Sequence, residues 1–165
     1  MPEYKGMNLI MPEADQENRP FFEAARQGRL LLRRCRDCGL LRYPPGTGCP
    51  WCSSLESTWS EVSGDGTIYS YEIVAQAIQP GFKDWLPYPI ALVELDEQRG
   101  LPTADEALRL IANLVTRDFR AEAEENVAIN RRVRVVFQPL DDELALPQFI
   151  LTDEPANAET WRMPE

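Results

Sequence analysis

Histidine is absent from this chain. Acyl transfer through a thiolate commonly draws on a free cysteine and a neighbouring base, most often histidine. Only four cysteines are present, all between positions 35 and 52, so none is spare if those four act as a set. No apolar run approaches the roughly 20 residues that a membrane-spanning helix requires. The opening MPEYKGMNLIMPEADQENR has no positive region followed by an apolar stretch, so no signal peptide is read there and a cytoplasmic protein with reduced thiols is expected. Basic residues are also few: 17 Lys and Arg against 27 Asp and Glu, a net charge of -10 over 165 residues. That balance counts against a module that tracks a nucleic-acid backbone. Carboxylates are plentiful, yet none falls at a recognisable catalytic spacing. An independent enzyme is not expected.

What is present is concentrated in residues 35–52, CRDCGLLRYPPGTGCPWC. Cys35, Cys38, Cys49 and Cys52 form C-x2-C, ten residues, then C-x2-C. Two close pairs on tight turns can close a tetrahedral thiolate cage, with Zn2+ its default occupant and iron a chemical alternative. Four thiolates would leave no open position for water or substrate. The competing reading is a pair of structural disulfides, which belongs to oxidising compartments. Residues 20–60 hold six arginines against three acids, so the basic charge gathers where the cysteines are. Arg29, Arg33, Arg34, Arg36 and Arg42 either balance an anionic metal-thiolate centre or offer a patch to a phosphorylated ligand or acidic partner.

Along the chain, residues 1–19 read as a polar tail with scattered Tyr4, Met7, Leu9, Ile10 and Met11. Asn18 and Pro20 open a short helix, PFFEAARQ, that Gly28 stops. Its Phe21 and Phe22 pack either on the cysteine module or into another protein. Leu30–Arg34 and Leu40–Tyr43 read as ribbon strands, and Trp51 between the last ligands shields sulfur or meets a partner. After the SGDG turn at 63–66, strands are expected over 67–77, 88–96, 108–116, 132–138 and 146–152. The 80–89 loop carries Phe82, Trp85 and Tyr88, a rigid aromatic set suited to binding or to capping a barrel. A polar insertion of possible helical character is read at 97–107, a short helix at 118–125, and a disordered acidic tail from 153. Five strands with a helix between the third and fourth fit a small barrel of the OB type.

The strings PFFEAARQGRLLLRRCRDCG, PPGTGCPWC, SGDGTIYSYEIV, PYPIALVELDE and LPQF, in that order, resemble the acyl-CoA-associated zinc-ribbon plus OB-fold family, domain of unknown function thirty-five. The resemblance spans about residues 20–152. It implies a mainly β fold: an N-terminal tail and helical hook over 1–28, a rubredoxin-like zinc ribbon over 29–58, a five-stranded OB barrel over 59–152 and an acidic tail over 153–165. Asn130 stands where the family often has glycine. Asparagine is the non-glycine residue that best tolerates a left-handed turn. The family's members are small subunits of thiolase-like enzymes that make or break carbon–carbon bonds of acyl-CoA substrates by thiolysis, acyl transfer or retro-aldol cleavage. The resemblance therefore implies a thiolase-like partner in a heterotetramer or larger, with the CoA thioester as a shared ligand. Arg33, Arg34, Arg36, Arg42, Phe82 and Trp85 are the expected ligand contacts, and Phe21, Phe22 and Trp51 the expected partner contacts. A nucleic-acid module and a small iron electron carrier are the alternatives.

Overall fold

Buried and half-buried side chains alternate along residues 88–95, and that stretch pairs antiparallel with residues 65–74 as two long strands. The computed structural model describes residues 3–8, 17–142 and 144–164. Two minimal strands, β1 (Glu3–Tyr4) and β2 (Met7–Asn8), make a hairpin whose turn residues Lys5 and Gly6 both have positive φ. This hairpin corrects the reading of residues 3–8 as a polar tail. Leu9, Ile10 and Met11 lie outside the described residues.

The helix α1 (Arg19–Arg26) starts with Pro20 in its first turn. The Asn18 carbonyl accepts from the Phe21 and Phe22 amides at 3.0 and 3.3 Å, while its side chain makes no capping bond. Gly28, at φ 73°, ends the helix: its amide and that of Arg29 donate to Ala25 and Ala24, both at 3.0 Å. That crossed pair of bonds needs the left-handed residue that glycine supplies without a Cβ penalty. The buried face is Phe21, Ala24 and Ala25.

Next come β3 (Leu30–Cys35), β4 (Leu41–Arg42) and β5 (Ser57–Val62), a sheet in the order β4-β3-β5. Leu30 and Leu32 of the middle strand are fully buried and join the helix to the sheet. Five further strands, β6 (Asp65–Val74), β7 (Tyr88–Leu95), β8 (Arg109–Asn113), β9 (Arg132–Pro139) and β10 (Ala145–Leu151), pair antiparallel in the order β10-β9-β6-β7-β8. A parallel bridge between Leu114 and Phe149 brings the two edges together, and the Val115 amide donates to Phe149 at 2.8 Å. The result is a near-closed five-stranded OB barrel. Gly64 is obligatory in its turn, because a Cβ there would sit 2.1 Å from Val135 Cγ1 and φ is +76°. Asn130 adopts φ 71°, the left-handed turn expected of it, and its Nδ2 donates to the Glu159 carbonyl at 2.6 Å.

Three expectations need correction. Residues 118–125 do not form an α-helix: the Thr116 hydroxyl bonds Asp118 and accepts the Arg120 amide, Phe119 turns to φ 58°, and Ala121 bridges back to Val115. Only Glu124–Asn126 makes a 3-10 turn. Good helix formers in AEAEE lose to a closed local turn. The insertion after β7 holds a single 3-10 turn, Asp96–Gln98, followed by a turn at Arg99 and Gly100 and bends over 102–106. Finally, the acidic C-terminal segment is docked, not disordered. Trp161 bridges Ile129, the Met163 amide donates to the Tyr71 hydroxyl, and Glu154 pairs with Arg132 and Arg134. No helix among the described residues is long and apolar enough to cross a membrane.

Candidate metal centre and binding surfaces

Two knuckles of the same shape carry the cysteines. In the first, the Cys35 amide donates to Leu40 and the Gly39 amide to Cys35; in the second, Cys49 donates to Ser54 and Ser53 to Cys49. Gly39 and Ser53 hold matching positions with φ of 77° and 62°. CRDCG and CPWCS align these two residues, so a comparison of the knuckles within the sequence can find Ser53. The four Sγ atoms lie within 4.8 Å of one another. Cys35 and Cys52 approach to 3.5 Å, Cys38 and Cys49 to 3.6 Å. A tetrahedral zinc with Zn–S bonds near 2.3 Å separates its sulfurs by about 3.8 Å, so the cluster fits such an ion. Disulfide pairing is not observed: all four cysteines are free.

Backbone amides point at the sulfurs. Cys38 and Asp37 donate toward Cys35, Leu40 toward Cys38, Trp51 and Cys52 toward Cys49, and Ser54 toward Cys52. The Cys38 amide is the first cause that draws the Cys35 thiol down to about 6, outweighing its desolvation. Cys52 is pushed up to about 12: the Ser54 amide favours its thiolate, but Cys35, burial and the other two cysteines oppose it more. Four adjacent thiolates oppose one another's ionisation, and a cation among them would relieve that repulsion. A zinc ion bound by all four would cross-link the two knuckles and expose no coordination site.

The ribbon arginines mostly engage the protein itself. Arg42 is 2% exposed and donates to the Gly46 and Thr47 carbonyls at 2.8 and 2.9 Å, shaping the turn between the knuckles. Arg33 pairs with Glu17 at 2.7 Å and stacks 5.1 Å from the Trp59 ring. Arg34 donates to Gly39 at 2.8 Å, and the exposed Arg29 pairs with Glu61. Arg36 is exposed beside the first knuckle. Phe21 is buried 5.8 Å from Tyr43, with Phe22 and Trp51 each half-buried. Phe82 and Trp85 belong to a separate aromatic cluster with Tyr4 and Tyr88.

Sequence reasoning missed Gln98. It is 3% exposed, accepts the Leu41 amide at 2.6 Å and donates to the Leu41 carbonyl at 2.9 Å. One side chain therefore imitates a strand partner and fastens the ribbon to the barrel. The Asp96, Arg99 and Arg132 network was missed as well. Asp96 makes a bidentate pair with Arg132, whose hydrogen bonds hold the Asp96 carboxyl below the usual range despite partial desolvation. A cleft of about 370 Å³ opens beside it, lined by Thr67, Tyr69, Arg99, Asn130 and Asn157.

Residues 22–57 match the ChsH2 rubredoxin-like zinc ribbon domain, and residues 59–138 the ChsH2 C-terminal OB-fold domain. A solved structure described as Ltp2-ChsH2(DUF35) aldolase is 36% identical, covers 86% of this chain and 98% of that one, and superposes with a TM-score of 0.67. The chain is 37% identical over 84% of its length to a "Probable enoyl-CoA hydratase alpha subunit" of Thermomonospora curvata, spanning 38% of that protein. It is 37% identical over 41% of its length to a DUF35 domain-containing scaffold protein of Methanocaldococcus jannaschii, spanning 48% of it. The chain thus spans less than half the length of these two curated relatives.

Proposed function

Because the chain belongs to the ChsH2-type DUF35 family of zinc ribbons joined to OB folds, we propose that it is a non-catalytic accessory subunit of a thiolase-like enzyme acting on acyl-CoA. The match over nearly the whole length of a chain from an Ltp2-ChsH2(DUF35) aldolase carries this reading. Two features of the residues support it. The chain has no histidine, and its four cysteines gather into one cluster, so nucleophile and base would come from the larger subunit. The cysteine cluster suits a structural zinc, which would stiffen the ribbon and leave catalysis elsewhere.

In this reading Phe22 and Trp51, half-exposed on the hook and the second knuckle, meet the partner. Phe21 fixes the hook from beneath. Arg36 projects from the ribbon toward the CoA phosphates, with Arg34 beside it, while Arg33 and Arg42 keep the ribbon in shape. The complex is a heterotetramer or larger. Co-expression with the thiolase-like protein encoded nearest this gene, followed by size-exclusion chromatography, tests the reading. Co-elution with acyl-CoA turnover that requires both chains supports it. Two separate peaks with the metal site intact reject it. The Thermomonospora relative favours a second reading, in which the partner or fused domain is an enoyl-CoA hydratase. The same experiment with a hydratase subunit separates the two.

A further inference from the structure

Only two of the 17 basic residues are lysines, Lys5 and Lys83, and both belong to one corner of the fold. Lys83 is exposed in the 3-10 turn Pro80–Trp85, on the loop joining β6 to β7. Lys5 is half-buried in the turn of the β1–β2 hairpin. The backbone sets it there. Lys5 has φ 52°, and its carbonyl rests on Gly81, where a Cβ would collide with that oxygen and with Met7. The hairpin turn is thereby held close against the loop.

Three rings surround the Lys5 amine. Its Nζ stands 2.8 Å from the centre of the Trp85 ring, 5.1 Å from that of Tyr4 and 5.6 Å from that of Phe82. Phe82 and Trp85 meet edge to face at 6.0 Å, which fixes this wall. The other ionisable groups on the two elements are Glu3 and Tyr4 of the hairpin and Lys83, Asp84 and Tyr88 of the loop. Among the described residues no carboxylate pairs with Lys5. The ammonium thus gives up water on its ring side and gains no counter-charge.

A ring face attracts a cation, but this returns only part of the hydration lost. Burial lowers the Lys5 pKa to about 8. Arginine in this seat would keep its proton, whereas lysine is the base that such surroundings can discharge.

We propose that Lys5 is a site of N-acylation by acyl thioesters. The neutral amine attacks the thioester carbonyl, the carbon–sulfur bond breaks, an amide forms at Nζ, and the thiol leaves with the proton that nitrogen gives up. Acyl-CoA as the natural donor rests on the function proposed above; the reactivity of the amine rests on its seat alone. The acylated chain carries no charge over Trp85.

The test uses the full-length, metal-loaded chain without a partner and acetyl-CoA as the donor, with acetylated sites quantified by peptide mass spectrometry. Lys83 is the reference amine in the same molecules. At about pH 7.5 an amine of pKa about 8 is roughly one-quarter neutral, against roughly one in a thousand for an ordinary lysine. A less basic nitrogen is also a weaker nucleophile, as holds for thiols, so Lys5 is expected to acetylate about tenfold faster than Lys83. Its rate is expected to level off above about pH 8. In guanidinium chloride, and in Trp85→Ala, the ratio is expected to fall towards one. Equal rates at the two lysines of the native chain overturn the proposal. So does a ratio that survives in guanidinium chloride or in folded Trp85→Ala, or a Lys5 rate still climbing about tenfold per pH unit at about pH 10. None of these outcomes involves the larger subunit, so the accessory-subunit reading stands or falls separately, on co-elution.

Discussion

Ser53 sits in the second knuckle where Gly39 sits in the first, and it alone of the pair carries a Cβ into left-handed backbone. Ser53→Gly is expected to raise stability by up to about 1 kcal/mol in urea unfolding, since relief of the strained conformation exceeds the added freedom of the unfolded chain. Gln98→Leu is expected to cost about 1–3 kcal/mol, because it strands both the amide and the carbonyl of Leu41 in a buried place. The four cysteines were legible because their geometry is local, two short turns with fixed spacing. Gln98 was not, because the backbone it serves lies 57 positions earlier and a lone glutamine in a polar stretch carries no periodic signal.

At the level of elements, the barrel strands were readable because a half-buried strand alternates with period two, as β7 does over its whole length. The segment after β8 was misread because AEAEE favours a helix by composition, while Thr116 and the Val115–Ala121 bridge impose a turn. The C-terminal segment looked free because its composition is polar; its attachment is through one backbone bridge at Trp161 and isolated bonds such as those of Met163 and Glu154, which leave no periodic pattern. Asp96, which shares Arg132 with Glu154, gives the fold a pH dependence. Its folded pKa is depressed, so the stability it contributes is present above the unfolded carboxylate value and is lost as pH falls through the folded one. Between about pH 4 and 2 the wild type is expected to lose more urea stability than Asp96→Asn. Taking the difference between the two proteins at each pH cancels acid release of metal, which affects both. Equal slopes would remove Asp96 from the account.

For the whole molecule, the decisive fact is that one apolar cluster holds Phe21 of the hook, Leu32 and Leu41 of the ribbon, and Val93 and Phe149 of the barrel. The ribbon is therefore not an independent appendage. Removal of metal by a chelator, or Cys49→Ser, is expected to lower the unfolding midpoint of the entire chain, with near-ultraviolet dichroism and metal release changing in one transition. Two separated transitions would show that ribbon and barrel melt independently. The general architecture was within reach of the sequence because strand period, cysteine spacing and turn residues agree with one another. How the modules share a core was not, since no short-range pattern records which apolar face meets which.

The packing of α1 on β10 has a consequence for synthesis. The hook leaves the ribosome well before the strand that covers it, which is the last of the barrel. Until residues 145–151 emerge, Phe21 has no complete cover and the Leu114–Phe149 seam cannot close. Assembly during translation therefore waits for β10, and the nascent chain shows the Phe21 face of α1 to the cell throughout that interval.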